Sequence, residues 1–133
     1  IAEYGNDPRI TLVAAAVGIE AIEAPLRVTD DATCTLSSAF ADGHAESNYT
    51  GTIVVPVLTL DRIFLRWGQF DFINFDAEGV SADLFMVLLQ KTEARPRCIC
   101  GEHDGRLTEL ADAATRQGYR VTLVNGTNAV FAK

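Results

Sequence analysis

From residue 70 to the end, short apolar runs alternate with helical apolar stripes, and this alternation constrains the fold more than any other feature. Residues 70–75 read Phe-Asp-Phe-Ile-Asn-Phe, a run that suits a strand. After Gly79, the residues Leu84, Phe85, Val87 and Leu88 recur at helical spacing until Arg95-Pro96 interrupts them. Residues 97–101 form the next strand-like run. Asp104 is placed to cap a helix whose Leu107, Leu110, Ala111 and Ala114 make one stripe, closed by Gly118. Two further runs, 119–124 and 129–132, flank Asn125-Gly126, a strong hairpin signal. Strands alternating with helices and ending in a hairpin imply an α/β open sheet, largely parallel with an antiparallel edge.

The first half is less regular. Residues 10–17 are apolar almost throughout and stop at Gly18, which suits a strand buried on both faces. Residues 26–29 and 52–57 alternate, Pro56 points to an edge strand, and the polar stretch between them reads as a mobile loop. Thr59 is placed to cap a helix over 60–67, with Asp61 in its first turn and Gly68 at its end. Residues 1–6 look like the last turn of a helix with a Gly-Asn stop, so the chain reads as the later portion of one domain.

Composition narrows the function classes. Eighteen acidic residues against eleven basic ones leave a formal charge of −7, the wrong sign for nonspecific binding to nucleic acid. No apolar run approaches the roughly 20 residues of a membrane helix, so no membrane partner is expected. Cys34, Cys98 and Cys100 form no even disulfide framework, which suggests a reducing, cytoplasmic setting. Cys98, Cys100 and His103 fall short of the four ligands a structural zinc needs.

In open α/β sheets ligands bind beyond the carboxyl ends of parallel strands. Three such ends are legible: Ala15-Ala16-Val17-Gly18, small and apolar; Asp76-Ala77-Glu78-Gly79; and Glu102-His103-Asp104. Two of them carry clustered acids. Asp76 suits a base, a metal ligand or an acceptor of a substrate hydroxyl, yet an acid just before a helix also serves as a cap. His103 has the same two readings, functional or merely hydrogen-bonded. Trp67 with Phe70, Phe72 and Phe75 reads as core, and Asp42, His44 and Glu46 as a solvated loop.

Taken together, Val57-Leu58-Thr59-Leu60-Asp61-Arg62-Ile63, then residues 70–79, then Arg95-Pro96-Arg97-Cys98-Ile99-Cys100-Gly101-Glu102 resemble FkbM-type S-adenosylmethionine-dependent methyltransferases. The pattern has a Thr-Leu-Asp helix start, an Ile-Asp-x-x-Lys-x-Asp-x-Glu-Gly strand and turn, and a Pro-containing approach to a strand ending in Glu. The match covers most of the chain in order, apart from residues 30–50. It implies a class I methyltransferase (Rossmann-like) open sheet, mostly parallel, with residues 10–16 as strand three, 70–76 as strand four and 97–102 as strand five. It implies methyl transfer from S-adenosylmethionine, commonly to an oxygen of a sugar or natural-product acceptor. By this resemblance Asp76 lies nearest the transferred methyl, Glu78 and Glu102 line the acceptor side with His103 beside them, and Ala15, Ala16 and Val17 approach the adenine. A divalent ion such as magnesium, shared by Asp76 and Glu102, is a lesser option. Two departures stand out. Asn74 replaces the family's lysine, and the glycine-rich cofactor turn is absent from this sequence, which would make residues 1–133 the C-terminal portion of a methyltransferase domain lacking its N-terminal strands. A catalytically degenerate, methyltransferase-like binding module is the alternative.

Overall fold

The computed structural model describes residues 7–20, 22–29, 34–43 and 49–133. The expected helix end at residues 1–6, and His44 and Glu46, lie outside these residues. The elements run β1 (Ala16–Val17), β2 (Glu23–Thr29), α1 (Ser38–Gly43), β3 (Tyr49–Leu58), α2 (Leu60–Trp67), β4 (Phe72–Phe75), α3 (Ser81–Lys91), β5 (Cys98–Glu102), α4 (Leu107–Arg116), β6 (Arg120–Val124) and β7 (Asn128–Ala132).

They form two mixed, open sheets in an α/β arrangement, one ordered β1-β3-β2 and the other β4-β5-β7-β6. β4 and β5 run parallel, joined by the α3 crossover; β7 lies antiparallel between β5 and β6. The other sheet pairs β1 parallel and β2 antiparallel to β3. Pairing among the described residues is therefore mixed, where the sequence suggested a mostly parallel sheet. The difference comes from the two hairpin-like excursions, β2–β3 and β6–β7, each of which adds an antiparallel ladder.

One apolar core organises the second sheet. Leu84, Phe85, Leu88 and Leu89 of α3 are all buried, as the helical spacing requires, and meet Ile99 of β5 and Phe131 of β7. The Phe85 ring sits between Phe131 (centroids 4.7 Å apart) and Phe75 (6.3 Å). Leu110, Ala113 and Ala114 carry α4 onto the same core. At Gly101 a β-carbon would lie 2.9 Å from the Phe75 carbonyl oxygen, so this small residue lets β5 approach β4 closely. α3 stops where the sequence breaks: Thr92 Oγ1 donates to the Leu88 carbonyl, and the Arg95 guanidinium donates to the carbonyls of Thr92 (2.8 Å) and Ala94 (2.7 Å).

Other expectations fare unevenly. The helix over 60–67 forms as read and ends on Gly68, although the Thr59 side chain makes no capping bond. Pro56 sits on the central strand of its sheet, yet with edge-strand logic. The Val57 N–H donates to Ile22 on the β2 side, so the Pro56 nitrogen faces the other side, where β1 begins pairing only at Val57. The buried strand expected over 10–17 shrinks to Ala16–Val17, and Leu12 is 52% exposed. No strand among the described residues pairs with 10–14, so its apolar side chains find nothing to bury against. Phe75 is core as expected, but Phe72 is 57% exposed and Phe70 also lies outside the core. Alternation turns Phe72 to the face of β4 opposite Phe75, and among the described residues β4 is an edge strand with one neighbour.

Tyr119 illustrates how the hairpin is fastened. It is almost fully buried and its hydroxyl donates to the Pro96 carbonyl at 2.6 Å, linking the start of β6 to the approach to β5. Tyr119→Phe should leave that carbonyl unpaired and cost about 1–2 kcal/mol, seen as a lower urea midpoint with an unchanged slope.

Candidate functional site

The site is built on the turn from β4 into α3. Gly79 takes φ +80°, a left-handed conformation few other residues adopt, and a β-carbon there would lie 2.7 Å from Phe40 Cβ. Glycine is thus required twice, by the backbone and by the approach of α1. Ser81, fully buried at the start of α3, accepts the Ala77 N–H at 2.9 Å, and its hydroxyl lies near enough to Glu102 to favour the charged carboxylate. One hydroxyl therefore holds the β4–α3 turn and stands beside the end of β5.

Asp104 follows β5 in a left-handed conformation (φ +47°), and its Oδ2 accepts the Ala82 N–H at 2.8 Å. Sequence reading made it the cap of α4. It caps α3 instead, because the β5–α4 turn folds against the free amides of the neighbouring helix. At α4 the preceding Arg106 makes no capping bond; its guanidinium is held by Glu109 at 2.8 Å and Asp83 at 2.6 Å.

The parallel pairing of β4 and β5 brings their acidic ends together. Ligand atoms of Asp76, Glu78 and Glu102 all lie within 4.8 Å of one another, with Asp76 exposed and the two glutamates half-buried. Burial pushes the Glu102 carboxyl up from its usual range, and the charges of Glu78, Asp76 and Asp104 push it further; the Ser81 hydrogen bond opposes them. His103 is half-buried beside them. Its Nδ1 accepts the Gly105 N–H at 3.2 Å, which leaves Nε2 to carry the proton of the neutral ring.

Two clefts border this cluster. The first, about 540 Å³, is walled by Phe40 of α1, by Glu78 and Gly79, by Glu102 and His103, and by Thr127 of the hairpin. The second, also about 540 Å³, is lined by Ala15, Ala16, Val17, Thr35, Asp76 and Ala77. Both volumes suit a small organic ligand. Thr35 stands at their boundary: buried, it donates to the Glu78 carbonyl at 2.6 Å and accepts the Ser37 N–H at 2.9 Å.

The structure therefore gathers Asp76, Glu78, Glu102 and His103 into one region, and Ala15, Ala16 and Val17 line the second cleft together with Asp76. Asp42 stands apart and exposed, 3.7 Å from Arg27. The contributions of Thr35, Phe40 and Ser81 were not legible. The sequence offered only a serine in the first turn of a helix and a polar stretch read as loop, part of which is α1 and the cleft wall. Asp76, Glu78 and Glu102 offer oxygen atoms only, a set that could hold a divalent ion such as magnesium; zinc would prefer nitrogen or sulfur. Comparison with family models, curated proteins and solved structures finds no match to this chain.

Because the folded carboxyl of Glu102 lies above its ordinary value of 4.5, the folded state holds that proton more firmly than the unfolded state. Its contribution to stability is full below the ordinary value and is lost as pH rises through the folded one. Glu102→Gln should therefore raise the melting temperature at neutral pH, and the gain should vanish below about pH 4. Thermal melts across that range test it. Ser81→Ala should push Glu102 higher still, measured by carbon NMR titration of its carboxyl.

Proposed function

We propose that this chain carries the acceptor side of an S-adenosylmethionine-dependent O-methyltransferase of the FkbM type, with a class I, Rossmann-like architecture. Its acceptor is a hydroxyl on a sugar or other small natural product. One observation carries the reading: two ligand-sized clefts border the Asp76–Glu78–Glu102 cluster, one lined by Asp76 and the other by the two glutamates, at the carboxyl ends of the parallel strands β4 and β5. Methyl transfer needs two molecules brought together at one polar point, which such an arrangement suits.

The cleft bounded by Ala15, Ala16 and Val17 fits the donor: its alanines leave space for a flat apolar ring, and Asp76 adds a carboxylate to its lining. When bound, S-adenosylmethionine supplies a methyl group on a sulfonium sulfur, which departs as a neutral thioether without acid assistance. The work left to the chain is alignment and removal of the hydroxyl proton. Asp76, exposed and within 4.8 Å of the two glutamates, accepts that proton as the oxygen becomes nucleophilic. Glu78 and Glu102 orient the acceptor by accepting hydrogen bonds from its hydroxyls.

In the full-length natural protein, supplied with the methyl donor and a panel of glycosides, Asp76→Ala should lower turnover by about 10²–10⁴-fold, the range for loss of a general base. Circular dichroism should show the fold intact. Retained activity would remove Asp76 from this role. Binding of acceptors with no methyl transfer by the unaltered protein would favour the degenerate module instead, a reading to which Asn74 in place of lysine lends support.

A further inference from the structure

The turn joining β6 to β7 holds Asn125-Gly126, a carboxamide followed by the least hindered backbone nitrogen a chain can place after it. Both residues are exposed, and Gly126 with Thr127 lines the first cleft. The Asn125 side-chain oxygen Oδ1 accepts the Thr127 N–H at 2.9 Å and the Asn128 N–H at 2.7 Å. Both partners are donors, so the atom they meet is the carboxamide oxygen, and the amino group Nδ2 stands outside the pair.

Two backbone amides at this distance from a carbonyl oxygen form an oxyanion hole. They stabilise the negative charge that the oxygen takes on when a nucleophile attacks its carbon. The nucleophile is next in the chain. Among the described residues the Gly126 N–H donates to no hydrogen-bond partner, so no bond must break before its nitrogen reacts. A β-carbon built at Gly126 would meet nothing within 4 Å, so the turn is open on that side.

We propose that Asn125 is a self-modifying residue, converted by its own turn to aspartate and isoaspartate, and that the isoaspartate form releases the hairpin wall of the first cleft. The Gly126 nitrogen gives its proton to solvent and bonds to Asn125 Cγ. The Cγ–Nδ2 bond breaks and the amino group leaves as ammonia, closing a cyclic imide. Water then opens the ring at either carbonyl. Attack at Cγ restores the ordinary peptide bond and yields aspartate. Attack at the backbone carbonyl leaves Gly126 joined through Cγ, so the main chain gains a methylene. The net change is amide and water to acid and ammonia, with nothing oxidised or reduced.

The products differ in consequence. Aspartate keeps a side-chain oxygen for the Thr127 and Asn128 N–H groups, so the turn persists. Isoaspartate routes the main chain through the carbon that these amides had gripped, and the turn lengthens. The Thr127 carbonyl accepts the His103 N–H at 2.9 Å, and Asn128 pairs with Glu102 across the β5–β7 ladder. A longer turn draws Thr127 away from His103 and moves one wall of the cleft. Tyr119 and Phe131 still hold the far end of the hairpin, so the change stays local.

The test follows the intact protein at neutral pH in water labelled with heavy oxygen, with peptides covering residues 120–132 read by mass spectrometry. Label should enter at Asn125 and not at Asn128. It should enter the folded chain about tenfold faster than the same chain unfolded in guanidinium, because unfolding removes both amides from Oδ1. Gly126→Ala, which the open space accommodates, should lose most of the label. The isoaspartate form, separated by chromatography, should show displaced His103 and Thr127 amide resonances, whereas Asn125→Asp should leave His103 close to its original position. A folded rate equal to or below the unfolded one, no label at Asn125, label retained in Gly126→Ala, or an unmoved His103 in the isoaspartate form would each overturn the proposal.

Discussion

The buried hydroxyl of Ser81 is the point on which the site depends. It accepts the Ala77 N–H, fastening the end of β4 to the start of α3, and it lies beside Glu102 at the end of β5 and favours its charged form. Around it the Asp104 carboxylate caps α3, Thr35 holds the Glu78 carbonyl, and Phe40 closes on Gly79. A turn held from so many directions cannot relax to spread its acids apart. The carboxylates stay close because the backbone is already satisfied elsewhere.

That closeness works against stability. Three carboxylates within hydrogen-bonding reach of a single small ligand repel one another, and half-burial of Glu102 adds the loss of water. The aromatic core beneath, with Phe85 between Phe75 and Phe131, offsets this with apolar burial and packing. Strain of this kind is expected where groups are arranged to meet a ligand and not to stabilise the free protein.

Much of the second half was legible because its signals are local. The stripe of Leu84, Phe85 and Leu88, the stop at Arg95-Pro96 and the Asn125-Gly126 turn each act within a few residues, and the elements formed accordingly. Where the signal depended on a neighbour, it failed. The apolar run over 10–17 has the composition of a buried strand, but among the described residues only Ala16 and Val17 find a partner strand. Asp104 has the right position to cap α4 by spacing, yet the tertiary turn delivered it to α3.

The sequence by itself determined that Asp76, Glu78, Glu102 and His103 stand at strand ends, since alternation and turn residues are properties of adjacent positions. Only the tertiary structure decided that these ends adjoin, that Ser81 stands beside both and that α1 walls them in. Those facts rest on contacts across gaps such as the 43-position separation of Thr35 and Glu78, which no local pattern encodes. A turn's shape is written in its own residues; what it faces is set by the packing of the rest of the chain.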